Sequence, residues 1–470
     1  MSLTELLGLL PVLILVGAST ALLMAGAWWP NYRRLLQVGI GAALLAALVA
    51  VSYTPPLPEV GNLYATSLLP RLFTALWSLT AAAVLLLSLR YGVSRRFDGG
   101  VYSSLVLFAA AGMALLSSSS SLFGLFLGLE AYTLVLYILI AFDRTCPQGA
   151  EAGLKYLVPG AIATGLLAFG ISLIYVAAGS LHLPEAATAS LAAGTLRPVA
   201  LLGWLLLMGA VGFKISLVPF HLWTPDVYQG APLPITTLLA TGSKGAVLAG
   251  ALPLFAALGP ARVEQSELLW LLAAATMLVG TLCALPQQNI KRLLAYSSMV
   301  HMGYLLTGLI AGNPAGDASV AFYLVVYTVA SIGAFGLLIS MSDAAGERQD
   351  LSTLTGVAWR HPVRATLLGL FLLSLAGLPP TAGFIGKFGL FLAAIDAGYT
   401  GLALVAILAS LVSVAYYIRV VMVMFARSDD SPTLPATVAS EGIVIALCVA
   451  GVLLLGLYPG PLLDLLQPLF

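Results

Sequence analysis

Residues Val211–Pro234 read VGFKISLVPFHLWTPDVYQGAPLP. Four prolines (Pro219, Pro225, Pro232 and Pro234), with Lys214, His221 and Asp226, interrupt a chain that is 60% hydrophobic and 8% charged. Pro219 has no amide hydrogen, and its ring would clash with the carbonyl of Ile215, so a helix cannot run through it. The residues on both sides are nonetheless apolar enough for hydrocarbon. Irregular backbone at membrane depth survives only where it is buried in protein or lines a wet cavity. The stretch therefore predicts a discontinuous membrane helix with Lys214 near its break, followed by a return into the membrane toward Lys244.

Working outward, the mean hydropathy is +1.03, and apolar runs of about 20 residues, the length a helix needs to span a bilayer, recur from end to end. The fold class is all-α: a polytopic membrane protein of about fourteen helices. The expected spans are 5–27, 35–53, 69–91, 101–119, 122–142, 155–179, 197–220, 233–257, 267–286, 292–312, 318–341, 364–395, 401–426 and 437–458. Continuous rather than alternating apolar runs argue against a β-barrel. The first span lacks a basic leader and a cleavage pattern, so it is expected to be a retained helix. Residues 1–470 form one membrane domain: N-terminal helices (1–100), a first repeat (101–257), a second repeat (267–426) and a C-terminal helix (437–470). The pairing of KYLVPGAIATGLLAFGISLI from Lys155 with FYLVVYTVASIGAFGLLIS from Phe322 suggests the duplication, with the copies inverted. A short amphipathic piece is expected at 181–195.

Three scattered cysteines and four histidines form no metal or cluster motif, so this chain is expected to carry no redox centre and no metal. The basic residues are asymmetric. Arg33, Arg34, Arg95, Arg96, Arg144, Lys155, Lys291, Arg292, Arg348, Arg360, Arg364 and Arg427 edge the odd-numbered loops, against Arg71, Arg197 and Arg262 on the even ones. The positive-inside rule puts the odd loops, with Asp226 and Gln229 at their mouth, in the cytoplasm and both termini on the other side.

Of the five lysines, Lys214, Lys244 and Lys387 fall inside spans. Glu130, in LFGLFLGLEAYTLVLYILIAF, is the glutamate set deepest in a span. Each such charge costs about 2.5–3.5 kcal/mol at a helix centre. Arg90 and Arg419 lie near enough to span ends to snorkel to the interface, whereas Lys244 and Glu130 do not. A lysine in low dielectric favours its neutral form and a nearby carboxylate favours the charged one, so Glu130 beside Lys214 would be a switchable pair. Pro379 and Pro380, in GLPPTAG, predict a second break before Lys387. His221 and His301 could bridge the lysines through water, since imidazole titrates near neutrality. Together these residues describe an ion path.

The blocks KISLVPFHLWTPDVYQGAP, ATGSKGAV, NIKRLLAYSSMVHMGYLL and GLPPTAGFIGKF resemble those of the subunit N family of bacterial NADH-quinone oxidoreductase, respiratory complex I. The resemblance covers nearly the whole chain, and its most specific block is PFHLWTPDVYQGAP. It implies fourteen helices with two inverted five-helix repeats, each containing one discontinuous helix. It implies a proton-translocating subunit of the bacterial inner membrane whose relay uses Glu130, Lys214, Lys244 and Lys387. NAD, FMN, iron–sulfur clusters and quinone would then belong to other membrane and peripheral subunits. The implied neighbours are a sister antiporter-like subunit, small membrane subunits and the lipid bilayer, with no nucleic acid. The alternative is a cation/proton antiporter subunit of the multisubunit sodium/proton type. Against it stand the DVYQGAP block and the sparse membrane carboxylates, since Na⁺ favours oxygen ligands. A scaffold with vestigial charges fits poorly with three deep lysines.

Overall fold

Hydrocarbon offers no partner for a free N–H or C=O, so the chain satisfies its backbone within helices and closes each helix end locally. The computed structural model describes residues 3–258, 261–343, 346–427 and 432–470, with the side chains of residues 3 and 261–265, Arg262 among them, outside the described set. The helices in chain order are α1 Leu10–Trp28, α2 Tyr32–Ser52, α3 Leu68–Ser94, α4 Gly99–Ser117, α5 Leu122–Ile140, α6 Pro147–Ala178, α7 Arg197–Lys214 and α8 Trp223–Gly230. They continue with α9 Leu233–Leu258, then α10 Ala261–Ala284, α11 Ile290–Ala311, α12 Pro314–Met341, α13 Pro362–Ala376, α14 Ala382–Asp396, α15 Thr400–Phe425 and α16 Ala439–Leu457.

Among the described residues, 13 helices are long and apolar enough to cross a membrane. The remaining crossing, expected over 364–395, is made of two pieces, α13 and α14, separated at Gly377–Thr381. The chain is a multi-pass α-helical membrane protein.

Asn31, Asp98, Ser121, Asn289 and Asn313 start helices by accepting a backbone N–H on their side chains. Gly179, Gly312 and Gly377 end helices in the left-handed region, where a side chain would be strained. The helix before the first break ends at Lys214, and Ser216 follows with φ +65°. That is one residue short of Ile215, whose carbonyl Pro219 would otherwise strike.

One face of the bundle gathers the basic loops into ion pairs: Arg95 with Asp143, Lys155 and Arg292 with Asp226, and Arg90 with Glu441. The opposite face carries a small hairpin, Glu59–Val60 antiparallel to Tyr64–Ala65. Bridges link Tyr64 to Ser119 and Ser121 to His182 there, beside a short helix at Leu183–Leu191.

Arg90 and Arg419 behave differently from free snorkels. Arg90 also donates to the carbonyls of Ile339 and Ser340 at the end of α12, and Arg419 binds the carbonyls of Leu285 and Gln287 after α10. Their charges close helix C-termini, where the peptide dipoles favour a cation.

Helices α9 and α11 are innermost, each 94% buried over its apolar window, whereas α1 and α6 are 22% buried. Small residues bring the neighbours close. A Cβ on Gly203 of α7 would stand 2.7 Å from the carbonyl oxygen of Gly170 on α6, a contact that van der Waals packing between membrane helices requires to stay open. Gly203→Val should therefore destabilise the assembled fold by about 1–3 kcal/mol. Thermal unfolding in detergent checks this, with Gly442→Ala, where a Cβ meets nothing within 4 Å, as the neutral comparison.

Candidate functional site

Each deep lysine lies where a break or a distortion frees polar backbone. Lys214 is the last residue of α7, fully buried, so its ammonium sits at the negative end of a helix dipole inside the bundle. Lys387 lies on α14, and its Nζ reaches back 2.8 Å to the carbonyl oxygen of Ala376, the last residue of α13. Gly377 makes that approach possible, because a Cβ there would come within 2.8 Å of the Lys387 side chain. Lys244 follows a π-helical turn, Leu239–Ser243, that interrupts the regular ladder of α9. Such turns recur at functional positions because they release backbone groups and redirect side chains.

None of the three has a carboxylate within ion-pair distance among the described residues. Hydroxyls and aromatic faces surround them instead. Lys214 Nζ donates to Thr133 Oγ1 at 3.2 Å and lies 5.9 Å from the ring centres of Tyr137, Tyr156 and Phe213. Lys244 Nζ donates to Ser298 Oγ at 2.7 Å and sits 5.2 Å from the Tyr228 ring and 5.9 Å from the Trp223 ring. Lys387 Nζ donates to Ser410 Oγ at 3.0 Å and lies 4.8 Å from the Tyr304 ring. Ring quadrupoles stabilise a cation without fixing its charge state as a carboxylate would.

Glu130 lies on α5, one turn before Thr133. The structure does not join it directly to Lys214: its Oε1 accepts from Thr164 Oγ1 of α6 at 2.6 Å. The expected pair is thus a near approach in which Thr133 holds the ammonium and Thr164 holds the carboxylate. The shared helix explains it, since residues three apart on a helix lie on one face.

Helix α11 connects the halves. Ser298 binds both Lys244 and the hydroxyl of Tyr228, 3.1 Å away. Ser297 bonds to the Tyr417 hydroxyl, which meets His301 Nε2 at 3.2 Å, while His301 Nδ1 meets the Tyr323 hydroxyl at 2.7 Å. The ring of Tyr304, centred 5.7 Å from that of His301, then faces Lys387. Ser297/Ser298, His301 and Tyr304 repeat at helical spacing and so share one side of α11.

His301 is therefore built into the row. His221 is not: it lies in the break beside the exposed Phe220 and Leu222, and among the described residues no hydrogen bond joins it to a lysine. Breaking the helix turned the PFHL segment outward, which spacing alone could not foretell.

Sequence reasoning missed two features. The first is the tyrosine and serine scaffold, for which the spacing of YSSMVHMGY on α11 was the available signal. The second is a largely buried ion pair, Lys291 with Glu347, at 2.7 Å, with the two side chains 1% and 7% exposed. By sequence Lys291 is one of the basic residues edging the odd loops, and Glu347 lies in the polar connection between the spans expected over 318–341 and 364–395. Glu347 also accepts from the Tyr91 hydroxyl and the Leu233 amide.

Burial alone would push the Glu347 carboxyl up, but Lys291, the tyrosine and the amide outweigh it and hold the group below the ordinary carboxylate range. Nearby Asp226, partly exposed, is also held low: some burial raises it, and hydrogen bonds from Lys155 and Arg292 prevail.

A carboxyl with a depressed folded value stabilises the fold fully above its unfolded pKa, about 4.3 for glutamate, and the contribution is lost as pH falls through the lower folded value. The melting temperature in detergent should therefore drop on acidification below about pH 4.3. Glu347→Gln should begin lower, because Lys291 is left unpaired, but should lose less over the same acid interval.

Comparison with known proteins places this arrangement. Residues 119–426, which contain Glu130 and all three deep lysines, match the family described as NADH:quinone oxidoreductase/Mrp antiporter, transmembrane. The chain is 50% identical to NADH-quinone oxidoreductase subunit N of Syntrophotalea carbinolica, over 97% of each chain. It superposes on a chain of respiratory complex I from Thermus thermophilus with a TM-score of 0.82 and 35% identity, covering 97% of this chain and 98% of that one. A chain of the Mrp complex from a Dietzia species gives a TM-score of 0.81 at 22% identity, covering 99% and 97%, a likeness of fold.

Proposed function

The chain belongs to the NADH:quinone oxidoreductase/Mrp antiporter transmembrane family, among the N subunits of NADH-quinone oxidoreductase, and on that premise we propose that it moves protons across the membrane through the row Glu130, Lys214, Lys244, His301 and Lys387. The observation that carries the proposal is the environment of the lysines. Three buried ammonium groups are held by neutral hydroxyls, carbonyls and ring faces, with no carboxylate locking any of them. A lysine so placed exchanges its proton at small cost, whereas an arginine would not.

Groups that both donate and accept stand between neighbouring sites. Between Lys244 and Lys387 these are Ser298, Ser297, Tyr417, His301 and Tyr323, all fully buried. The buried hydroxyl of Tyr137 has no hydrogen-bond partner among the described residues, and water completes such groups in folded interiors. Lys387 stands at the far end of the row, so protons leave from it. On the first side, Thr133 holds Lys214 and Thr164 holds Glu130. A slight movement of α5 against α7 would let them pair, shifting proton occupancy.

In this reading the driving redox chemistry, with NAD, FMN, iron–sulfur clusters and quinone, belongs to partner subunits. Those partners are a sister antiporter-like subunit, small membrane subunits and peripheral subunits. The basic face is cytoplasmic and both termini are periplasmic in a bacterial inner membrane, as the arginine asymmetry implies. Residues 101–257 and 267–426 are taken as inverted copies, a reading supported by one broken helix in each. The antiporter alternative is the weaker reading, because relatives up to 50% identical carry the oxidoreductase name while the Mrp likeness is one of fold.

The test uses the assembled complex in membrane vesicles. Glu130→Gln and Lys214→Ala should each lower NADH-driven proton translocation at least about tenfold, with the complex present at normal amount. Full pumping by both variants would remove the relay assignment. Sodium-driven acidification without NADH would favour the antiporter.

A further inference from the structure

The basic face opens into a cavity of about 460 Å³, lined by Arg95, Asp143, Glu151, Lys155, Asp226 and Glu347 among others. Glu151, Lys155 and Asp226 meet solvent there, whereas the side chains of Asp143 and Glu347 are only 5% and 7% exposed. Four segments converge on its carboxylate: Tyr91 of α3 at 2.5 Å, the Leu233 amide that starts α9 at 2.8 Å, Lys291 of α11 at 2.7 Å and Gln349 at 3.0 Å. Lys291 donates at the same time to the carbonyl of Ala231 at 2.6 Å, which would hold it if the pair opened.

Beneath the pair lies a mostly apolar layer that also holds the buried hydroxyls of Thr236 and Thr237. Ile235, Leu238 and Leu239 on α9, with Leu294 and Ala295 on α11, are all buried and apolar. Beyond it stand Lys244 and Ser298. Lys244 is eleven residues after Leu233, about 16 Å down the same helix, and Ser298 is two turns after Lys291 on the same side of α11, about 10 Å.

We propose that the Glu347–Lys291 pair is the gate through which protons pass from the basic-face cavity to Lys244. The proposal rests on the relay reading above and adds the group that admits the proton. The step is a plain proton transfer. Lys291 lets go of Glu347 while keeping its bond to the Ala231 carbonyl and its own proton, and the freed carboxylate takes one from hydronium or a protonated buffer acid in the cavity. That proton passes on to the neutral amine of Lys244 along water that enters the layer while the pair is open, and Lys291 returns to the carboxylate. Closed, the pair bars the path, because an ion-paired carboxylate binds no proton. Open, burial favours the protonated acid. Tyr91 and the Leu233 amide hold Glu347 in place throughout, and Arg95, Asp143, Glu151, Lys155 and Asp226 are the other charged groups facing the cavity.

Removing Glu347 alone would strand Lys291, so the test uses neutral pairs in the assembled complex. Glu347→Gln with Lys291→Gln keeps hydrogen bonding without charge. Glu347→Ala in the Lys291→Gln background leaves room for a small acid. The gate predicts that both pairs assemble and lower NADH-driven proton uptake at least about tenfold. It further predicts that formate, at concentrations harmless to the gradient in unmodified vesicles, restores uptake in the alanine variant only. Uptake within twofold of the unmodified complex in the glutamine pair overturns the gate, as does an assembled alanine variant unresponsive to formate. Lys244→Ala is measured alongside. If it pumps normally, the relay reading has failed; if it alone fails, only the gate has.

Discussion

An ammonium group inside a lipid-embedded bundle must be solvated by the protein itself, and the most economical solvent is the open end of a broken helix. Lys214 sits at the C-terminus of α7, and Lys387 reaches the final carbonyl of α13. Each break supplies carbonyl dipoles that hydrocarbon lacks. Lys244 obtains similar help from the π turn before it and from Ser298. Leaving such charges unsolvated would cost on the order of 10 kcal/mol in all, so the breaks are the condition for having the lysines at all.

From that condition the remaining architecture follows. Breaks at depth have to be covered, which is why α9, α11 and α12 lie inside and the smoother helices α1 and α6 lie outside. The covering helices bring serines, tyrosines and His301 to the lysines rather than carboxylates. Full ion pairing is found at the basic face instead, at Asp226, Glu347 and Glu441. Fixed charges hold the rim while neutral polar groups line the path.

Much of this was legible in the sequence because it depends on local chemistry. Hydropathy located the crossings, and Pro219 with Ile215 located the first break to the residue where α7 stops. Pro379 and Pro380 located the second. The depth of Lys244 followed from its distance to either span end. What escaped notice depends on tertiary packing. Glu347 sits in a stretch polar enough to read as solvated loop, and only the convergence of Tyr91, Leu233 and Lys291 buries it. Glu130 and Lys214 are more than eighty residues apart, so sequence could pair them by charge but could not show Thr133 and Thr164 standing between. His221 looked equal to His301 by composition, yet the outward turn of the break set it apart. The π turn left no compositional trace.

The central claim is that these lysines act by losing and regaining a proton rather than by being positive. Lys244→Arg tests it most directly, because arginine keeps the charge and the attraction to Tyr228 and Trp223 but does not deprotonate in proteins. Proton translocation per NADH oxidised should be measured in vesicles holding the assembled variant complex. The account predicts that translocation through this subunit stops although the complex is intact. Unchanged translocation in the arginine variant would contradict it.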